Sequence, residues 1–309
     1  MDNFLLIGGC LLLGVLLRRH PQMPAEGATV LNQVVLNVSL PALVLLEIPR
    51  LVFSPAALVP VLLPWGLLLL FAALVLLLAR LIGWSREITG CLLLLVPMGN
   101  TSFLGIPMVS AFFGEAAVSW ALLYDQLGSF LALSTYGALV LALYGGSGPP
   151  PTPSAVLAKI LRFPPFIALL IGFSLHLVPT PEATTWPAPV TALLETLAAT
   201  LVPLVMLAVG WQLTLRLPQA YLGPLGWGLG LKMVAMPLVA LGFCLLLGLR
   251  GEPVAVAVFE AGMAPMISAG ALAILAGLAP SLAAALTGYG IILAFFTLPL
   301  LHRLLLYAL

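Results

Sequence analysis

The chain has 309 residues, of which 62% are hydrophobic and only 7% are charged, and its mean hydropathy is +1.22. A composition this apolar excludes an ordinary soluble domain and indicates an integral membrane protein. The formal net charge of +1 and the absence of a basic stripe with interleaved aromatic residues give no sign of nucleic acid as a partner.

Apolar runs follow one another along the chain, and several exceed the roughly 20 residues that cross a bilayer as a helix. The alternating pattern of a membrane barrel is absent from the sequence. We therefore predict an all-α integral membrane protein with ten transmembrane helices. The predicted spans are residues 4–17, 28–48, 57–82, 87–113, 116–143, 155–178, 188–210, 219–248, 253–277 and 280–307.

The first run is interpreted as a short span and not as a signal peptide. Asp2 precedes it, Arg18 and Arg19 follow it, and no small-residue cleavage site is present. If both termini lie outside, more basic residues flank the cytoplasmic ends of the helices than the outer ends. The positive-inside rule then predicts a protein of the cytoplasmic membrane with both termini outside.

Short segments recur in the same order in the two halves of the chain. Leu-Leu-Ile-Gly at residues 5–8 returns at residues 169–172, and Trp-Gly-Leu at residues 65–67 returns at residues 227–229. PMVSA at residues 107–111 returns as PMISA at residues 265–269. These matches predict a duplicated five-helix unit. Because five is odd, the second copy is inverted in the membrane, which is typical of secondary transporters.

The repeat also predicts the domain organisation. Residues 1–145 form the first five-helix repeat, residues 146–154 a short Pro/Gly linker, and residues 155–309 the second, inverted repeat. The three cysteines fall in apolar runs without metal-ligand spacing, so neither a metal nor another cofactor is predicted.

Pro107 and Pro265 lie inside the fourth and ninth spans, where a proline removes a helix hydrogen bond and tends to break the helix. We expect each proline to open the second half of a broken helix, so that two helix N-termini face the middle of the membrane. Such termini carry partial positive charge and suit an anion, typically a carboxylate. The alternative is that both prolines are packing devices of ordinary transmembrane helices.

Three polar residues follow one another at the first break. Asn100 is a candidate for hydrogen bonding to a substrate carboxylate, or it caps the half-helix, and Thr101 and Ser102 stand beside it. Together with Ser268 of the second break, Lys232 and the two prolines, these residues form the predicted substrate-binding set. Lys232 either attracts an anion or pairs with a buried carboxylate.

Two carboxylates inside predicted spans are candidates for ion coupling. Ionisable groups within the membrane cost free energy to bury, and they usually serve a function. Asp125 lies near the middle of the fifth span, and a buried carboxylate binds protons more readily than one in water. A structural hydrogen bond to a neighbouring helix is the alternative. Glu260, five residues before Pro265, either carries a proton or cation or bonds to unwound backbone.

Three segments together resemble the auxin efflux carrier family of plant and bacterial transporters, and the resemblance covers essentially the whole chain. They are GVLLRRHPQMPAEGATVLNQVVLNVSLPALVLLEI at residues 14–48, GNTSFLGIPMVSAFFGEAAVSWALLYDQLGS at residues 99–129, and EAGMAPMISAGALA at residues 260–273. The most specific element is the Asn-Thr pair followed by an apolar-Gly-apolar-Pro run.

The resemblance implies ten helices in two inverted repeats, with broken helices four and nine crossing at the substrate site. It also implies proton-driven or uncoupled movement of small organic acids such as malate, malonate or auxin-like compounds, by an elevator-like or rocking motion. Plant auxin carriers have a long hydrophilic loop where this chain has GGSGPPPTPS, so a bacterial-type member of the inner membrane is indicated. The predicted partners are a small organic acid, protons and the lipid bilayer, with a second copy of the chain left open.

Two other classes of protein fit the sequence less well. A sodium-coupled symporter of bile-acid-transporter type has a similar architecture, but the second crossing, GMAPMIS, is poor in side-chain oxygens for sodium. An intramembrane aspartyl protease needs two aspartates in one site, and the sequence has no second intramembrane aspartate beside Asp125. No enzymatic activity is predicted.

Overall fold

The computed structural model describes residues 2–24, 26–51, 55–145, 152–175, 186–213, 215 and 219–309. For residues 2–5 only the backbone is described. Apart from one isolated backbone bridge, every regular element in these ranges is helical. Most of the predicted linker (residues 146–151) and Arg216, one of the basic residues on the predicted cytoplasmic side, lie outside the described residues.

The helices are numbered here in chain order, and a helix that contains a π-helical or 3-10 turn is counted as one element. The bounds are α1 Asp2–Arg18, α2 Gly27–Arg50, α3 Pro55–Ile82, α4 Arg86–Leu95, α5 Thr101–Phe113, α6 Glu115–Tyr144, α7 Pro153–Leu161, α8 Pro164–Leu175, α9 Ala188–Gln212, α10 Gln219–Leu246, α11 Glu252–Ala261, α12 Ile267–Leu275 and α13 Pro280–Ala308.

Six of the described helices are long and apolar enough to cross a membrane, namely α2, α3, α6, α9, α10 and α13. Their ends differ from those of six predicted spans by at most two residues. Helices α7 and α8 are bent by 68° where they join and add a seventh span if they count as one. The predicted fourth and ninth spans are each divided by a break, into α4 and α5 and into α11 and α12.

The connection from α3 to α4 shows how the sequence sets helix ends. Gly83 adopts a left-handed conformation (φ 77°), and its N–H donates to the carbonyl of Ala79 at 2.9 Å, which closes α3. Two residues later, the Ser85 hydroxyl accepts a hydrogen bond from the N–H of Ile88 and caps α4. A turn of three residues therefore separates two helices.

The chain divides into two compact units, and each is described by itself. The first comprises Met1–Phe53, Ile106–Leu122 and Leu157–Leu213. In its core the second half of α2 packs against α8 and the first half of α9. The Ser39 and Thr200 hydroxyls share a hydrogen bond of 2.7 Å, and the Trp186 indole donates to the carbonyl of Leu45. The paired polar groups allow these helices to pack without an unsatisfied hydroxyl or indole.

Helix α1 crosses the end of α9 at two reciprocal glycines of the first unit. A Cβ atom on Gly14 would lie 2.2 Å from the carbonyl oxygen of Leu207, and one on Gly210 would lie 2.0 Å from that of Leu11. No carbon atom fits at such distances. The two backbones therefore approach as closely as they do only because both positions lack a side chain.

The second unit comprises Ser54–Gly105, Leu123–Val156 and Thr214–Leu309. Helix α3 packs against α11 and against the middle of α6, while α12 packs against α13 and α4. At one of these contacts a Cβ on Gly128 would lie 2.5 Å from the ring of Pro64. All of the polar cluster described next belongs to this unit.

Candidate functional site

The breaks that follow α4 and α11 pair with each other as two short antiparallel strands. The N–H of Asn100 donates to the carbonyl of Ala264 at 2.8 Å, and the N–H of Met266 donates to the carbonyl of Met98 at 3.1 Å. Both segments are buried. The pairing satisfies backbone groups that have no helical partner, as irregular backbone within an apolar interior requires.

The break residues differ from the expectation in one respect. Pro265 lies directly before Met266, the residue that precedes α12, and thus marks a break as predicted. Pro107 does not open a half-helix, because α5 already begins at Thr101. The first break lies instead around Pro97 and Gly99. The chain forms a π-helical turn at Thr101–Gly105, just before Pro107. Because proline has no N–H, one backbone hydrogen bond of the helix is missing there, and the turn is wider than in an α-helix.

Three π-helical turns carry five polar residues of the cluster, namely Thr101, Ser102, Asp125, Gln126 and Lys232. The turns are Thr101–Gly105, Tyr124–Phe130 with Asp125, and Leu231–Ala235 with Lys232. Such turns are rare and are found often at functional sites, since they change the direction in which side chains leave a helix. The sequence pattern did not predict them.

The Asp125 carboxylate is buried (1% exposed) and accepts hydrogen bonds from three side chains. The hydroxyls of Thr101 and Ser102 each donate to one of its oxygens at 2.5 Å, and the Gln126 amide donates to the other at 2.7 Å. Thr101 and Ser102 form the first turn of α5. The carboxylate of Asp125 therefore stands at the N-terminus of this half-helix, where negative charge is favoured.

Lys232 is buried (1% exposed), and its ammonium lies at a helix C-terminus, that of α11. It donates to the carbonyl of Ala261 at 3.1 Å, the last residue of α11, and to the sulfur of Met236 at 3.3 Å. A cation is favoured at a helix C-terminus. Pairing of Lys232 with Asp125 or Glu260 was one of two alternatives, and the ion pairs of the described residues do not include Lys232.

Glu260 is completely buried, and neither of its carboxylate oxygens accepts a hydrogen bond within the described residues. A bond to the unwound backbone, one of the two alternatives, is therefore not formed. The carboxylate instead lies against Gly105, where a Cβ atom would be 2.3 Å from one oxygen and 2.5 Å from the other. Gly99 similarly leaves room for Lys232, whose nitrogen would be 3.1 Å from a Cβ at that position.

Two further buried polar atoms of this cluster have no hydrogen-bond partner among the described residues. They are the amide nitrogen of Asn100 and the side-chain oxygen of Gln126. Buried polar atoms are nearly always paired, so orphans of this kind require a reason such as a ligand or a transported ion. Gln126 was not among the predicted site residues, and only its position next to Asp125 pointed to it.

The structure brings most of the predicted residues together. Asn100, Thr101, Ser102, Asp125, Lys232, Glu260 and Pro265 all lie at or beside the paired breaks, as shown by the contacts above, and Ser268 stands in the first turn of α12. The ring of Pro265 packs where a Cβ on Gly290 would lie 2.5 Å away. Pro107 belongs to the first unit.

Two concave regions elsewhere do not suit an anion. A cavity of about 380 Å³ in the first unit is lined by Glu47, Glu115 and Glu195 with a single cation, Arg50, which pairs with Glu47 at 3.6 Å and Glu195 at 3.9 Å. A groove of about 510 Å³ in the second unit, formed by α3 and α10, has an almost wholly aliphatic lining. The paired breaks remain the better candidate, because they combine a buried amide donor with the uncapped N-terminus of α12.

Comparison with known proteins gives consistent results. The family model described as "Membrane transport protein" matches residues 10–148 and 152–302. An uncharacterized transporter of Methanothermobacter thermautotrophicus is 31% identical over 295 residues, covering 94% of this chain and 93% of that protein. An uncharacterized transporter of Methanocaldococcus jannaschii is 28% identical over 226 residues, covering 69% of each.

Proposed function

Because this chain belongs to the membrane transport protein family, that of the auxin efflux carriers, we propose that it is a secondary transporter of small organic anions, mono- or dicarboxylates, in the cytoplasmic membrane. Membership of this family shows that the chain is a membrane transporter. The substrate class, the binding site and the transport mechanism are what we propose. The observation that carries the proposal is the orphaned amide nitrogen of Asn100 beside the uncapped N-terminus of α12.

The two half-helix N-termini differ in a way that supports this choice. The N-terminus of α5 already holds the carboxylate of Asp125 through Thr101 and Ser102. The N-terminus of α12 has no side-chain cap, so the first N–H groups of the helix are available to an anion. Ala264, two residues before the cap position Met266, is paired with Asn100. A substrate carboxylate would thus accept hydrogen bonds from the Asn100 amide and from the backbone around Ser268.

Lys232 supports the same site through charge. Its ammonium lies against Gly99, the residue next to Asn100, so positive charge is present where a carboxylate would bind. The ammonium has three N–H donors and uses two of them on Ala261 and Met236. Attraction of the substrate and neutralisation of the end of α11 are therefore compatible roles.

We further propose the finer organisation that the sequence indicates: ten spans in two inverted five-helix repeats, residues 1–145 and 155–309, with both termini outside. Each half contributes one interrupted helix, and the two interruptions pair with each other. Every residue of the proposed site except Pro107 belongs to one compact unit. Alternating access by a rocking or elevator-like motion would then carry the site as one body.

Uptake into proteoliposomes tests the proposal. We expect saturable uptake of at least one labelled acid from a panel of acetate, lactate, malonate, malate and succinate, in choline buffer without sodium. If transport is coupled to protons, uptake is faster when the outside is more acidic than the inside, because the proton and the anion enter together. Absence of uptake for the whole panel, in sodium buffer as well as in choline buffer, contradicts the anion proposal. Uptake that requires sodium contradicts proton-driven or uncoupled transport.

A further inference from the structure

The two buried carboxylates of the cluster have opposite surroundings. Asp125 accepts three hydrogen bonds from side chains, whereas neither oxygen of Glu260 accepts one within the described residues. We propose that Glu260 is the proton carrier of this transporter and that Asp125 is a fixed anion which holds the first break in place. The proposal rests on the proposed transport function and assigns its coupling group.

Hydrogen bonding separates the two roles. Donors aimed at a carboxylate favour its charged form, and Asp125 has Thr101, Ser102 and Gln126 as donors at 2.5–2.7 Å. A fully buried carboxylate without donors is costly as an anion and is stabilised by taking up a proton. Glu260 is such a group. The sequence alone offers both Asp125 and Glu260 as coupling candidates, and their hydrogen-bond partners distinguish them.

The charged and titratable neighbours of Glu260 are few. Asp125 and Lys232 interact electrostatically with Glu260, and so does the phenol of Tyr124. On α13, His302 stacks edge-on against the adjacent Phe259, with ring centroids 6.4 Å apart. Helix α3 has one charged residue, Arg80 in its last turn, and α10 has Lys232 alone. The Lys232 ammonium makes its hydrogen bonds to Ala261 and Met236, and among the described residues Glu260 has no direct ionic partner.

The position of Glu260 explains how its protonation would reach the substrate site. Its carboxylate lies directly against Gly105, the last residue of the turn that begins with Thr101 and Ser102. The peptide N–H of Gly105 donates to the carbonyl of Asn100 at 3.0 Å. A change of charge on Glu260 therefore acts on the same short turn that presents Asn100. Because a single carboxylate exchanges a proton, we expect one proton to be moved in each transport cycle.

Infrared spectroscopy tests the assignment without any substrate. The full-length protein in lipid vesicles is titrated with acid, and the C=O stretch of protonated carboxyl groups is followed. We expect a band from a buried carboxyl group that is lost in Glu260→Gln and kept in Asp125→Asn. Glu252→Gln is the matched control, because Glu252 is an exposed carboxylate at the start of the same helix, α11. Loss of the band in Asp125→Asn and its retention in Glu260→Gln overturn the proposal.

Sodium gives a second decisive comparison. If replacing choline chloride with sodium chloride at constant pH removes the band, Glu260 is a cation ligand and the proposal is wrong. If the band is unchanged, Glu260 exchanges protons alone, as we expect.

Uptake of labelled malonate, or of whichever acid of the panel is carried, completes the test. Glu260→Gln is expected to lose the acceleration by an inward proton gradient, while Glu252→Gln responds like the wild type. Uptake by Glu260→Gln that still follows the gradient refutes the assignment and leaves the proposed function intact. If the infrared result is as expected but no acid is taken up, the proton site stands and the anion-carrier function fails.

Discussion

Replacing Asn100 with alanine is expected to weaken uptake of the transported acid about ten- to hundredfold, since a hydrogen bond to a charged group contributes roughly 1.5–3 kcal/mol. Stability is expected to change little. The amide nitrogen of Asn100 donates no hydrogen bond within the described structure, so no hydrogen bond from that atom is lost in the variant. The measurement is the concentration dependence of initial uptake in proteoliposomes, with thermal unfolding of the same preparations.

Two further variants make this result specific. Asn100→Asp keeps the shape of the side chain but replaces the donor by an acceptor with negative charge, and its effect on uptake should be larger than that of alanine. Asn37→Ala is the matched control, because Asn37 is exposed on α2 and bonds only to Gln33, one turn earlier. Wild-type KM values in both Asn100 variants would show that the amide does not contact the substrate.

Replacing Gly210 with alanine is expected to give the largest loss of stability of any glycine-to-alanine change in the first unit. The new methyl group would meet the carbonyl oxygen of Leu11 at 2.0 Å, a backbone atom that moves only if all of α1 moves. Overpacking of this kind costs about 1–3 kcal/mol. Gly14→Ala should act in the same direction, because its methyl group would meet the carbonyl of Leu207 at 2.2 Å.

The control for this pair is Gly9→Ala. Gly9 lies on the exposed face of α1, and nothing is within 4 Å of the position of its Cβ. Alanine favours a helix over glycine by up to about 1 kcal/mol, so this variant should be as stable as the wild type or more stable. Thermal unfolding in one detergent compares the variants. Equal Tm values for Gly210→Ala and Gly9→Ala would mean that α1 and α9 do not approach as closely as described.

The sequence predicted the features that depend on local chemistry. Long apolar runs identified helices α2, α3, α6, α9, α10 and α13 to within two residues, and prolines with glycines marked both interrupted spans. The family resemblance is confirmed by the match of the family model over nearly the whole chain. The ten spans, the inverted repeat and the roles of the site residues stay predictions.

The remaining features depend on contacts between distant parts of the chain. Gly105 leaves room for the carboxylate of Glu260, which lies 155 residues further along the chain. Thr101 and Ser102 were predicted to face the substrate, but their hydroxyls bond to Asp125. Lys232 was expected either to attract an anion or to pair with a buried carboxylate, and its hydrogen bond to the carbonyl of Ala261, at the end of α11, was not predicted. A sequence pattern gives spacing along one helix and cannot show which atom of another helix meets it.

The pairing of the two breaks has a consequence for biosynthesis. The N–H of Asn100 and the carbonyl of Met98 emerge from the ribosome long before Ala264 and Met266, with which they pair. Until the ninth predicted span is inserted, these groups have no partner, and unsatisfied backbone is costly in lipid. The first break is therefore expected to stay near water or a membrane chaperone during synthesis. A chain that stops before residue 264 should be recognised by quality-control proteases, even though its first five predicted spans are complete.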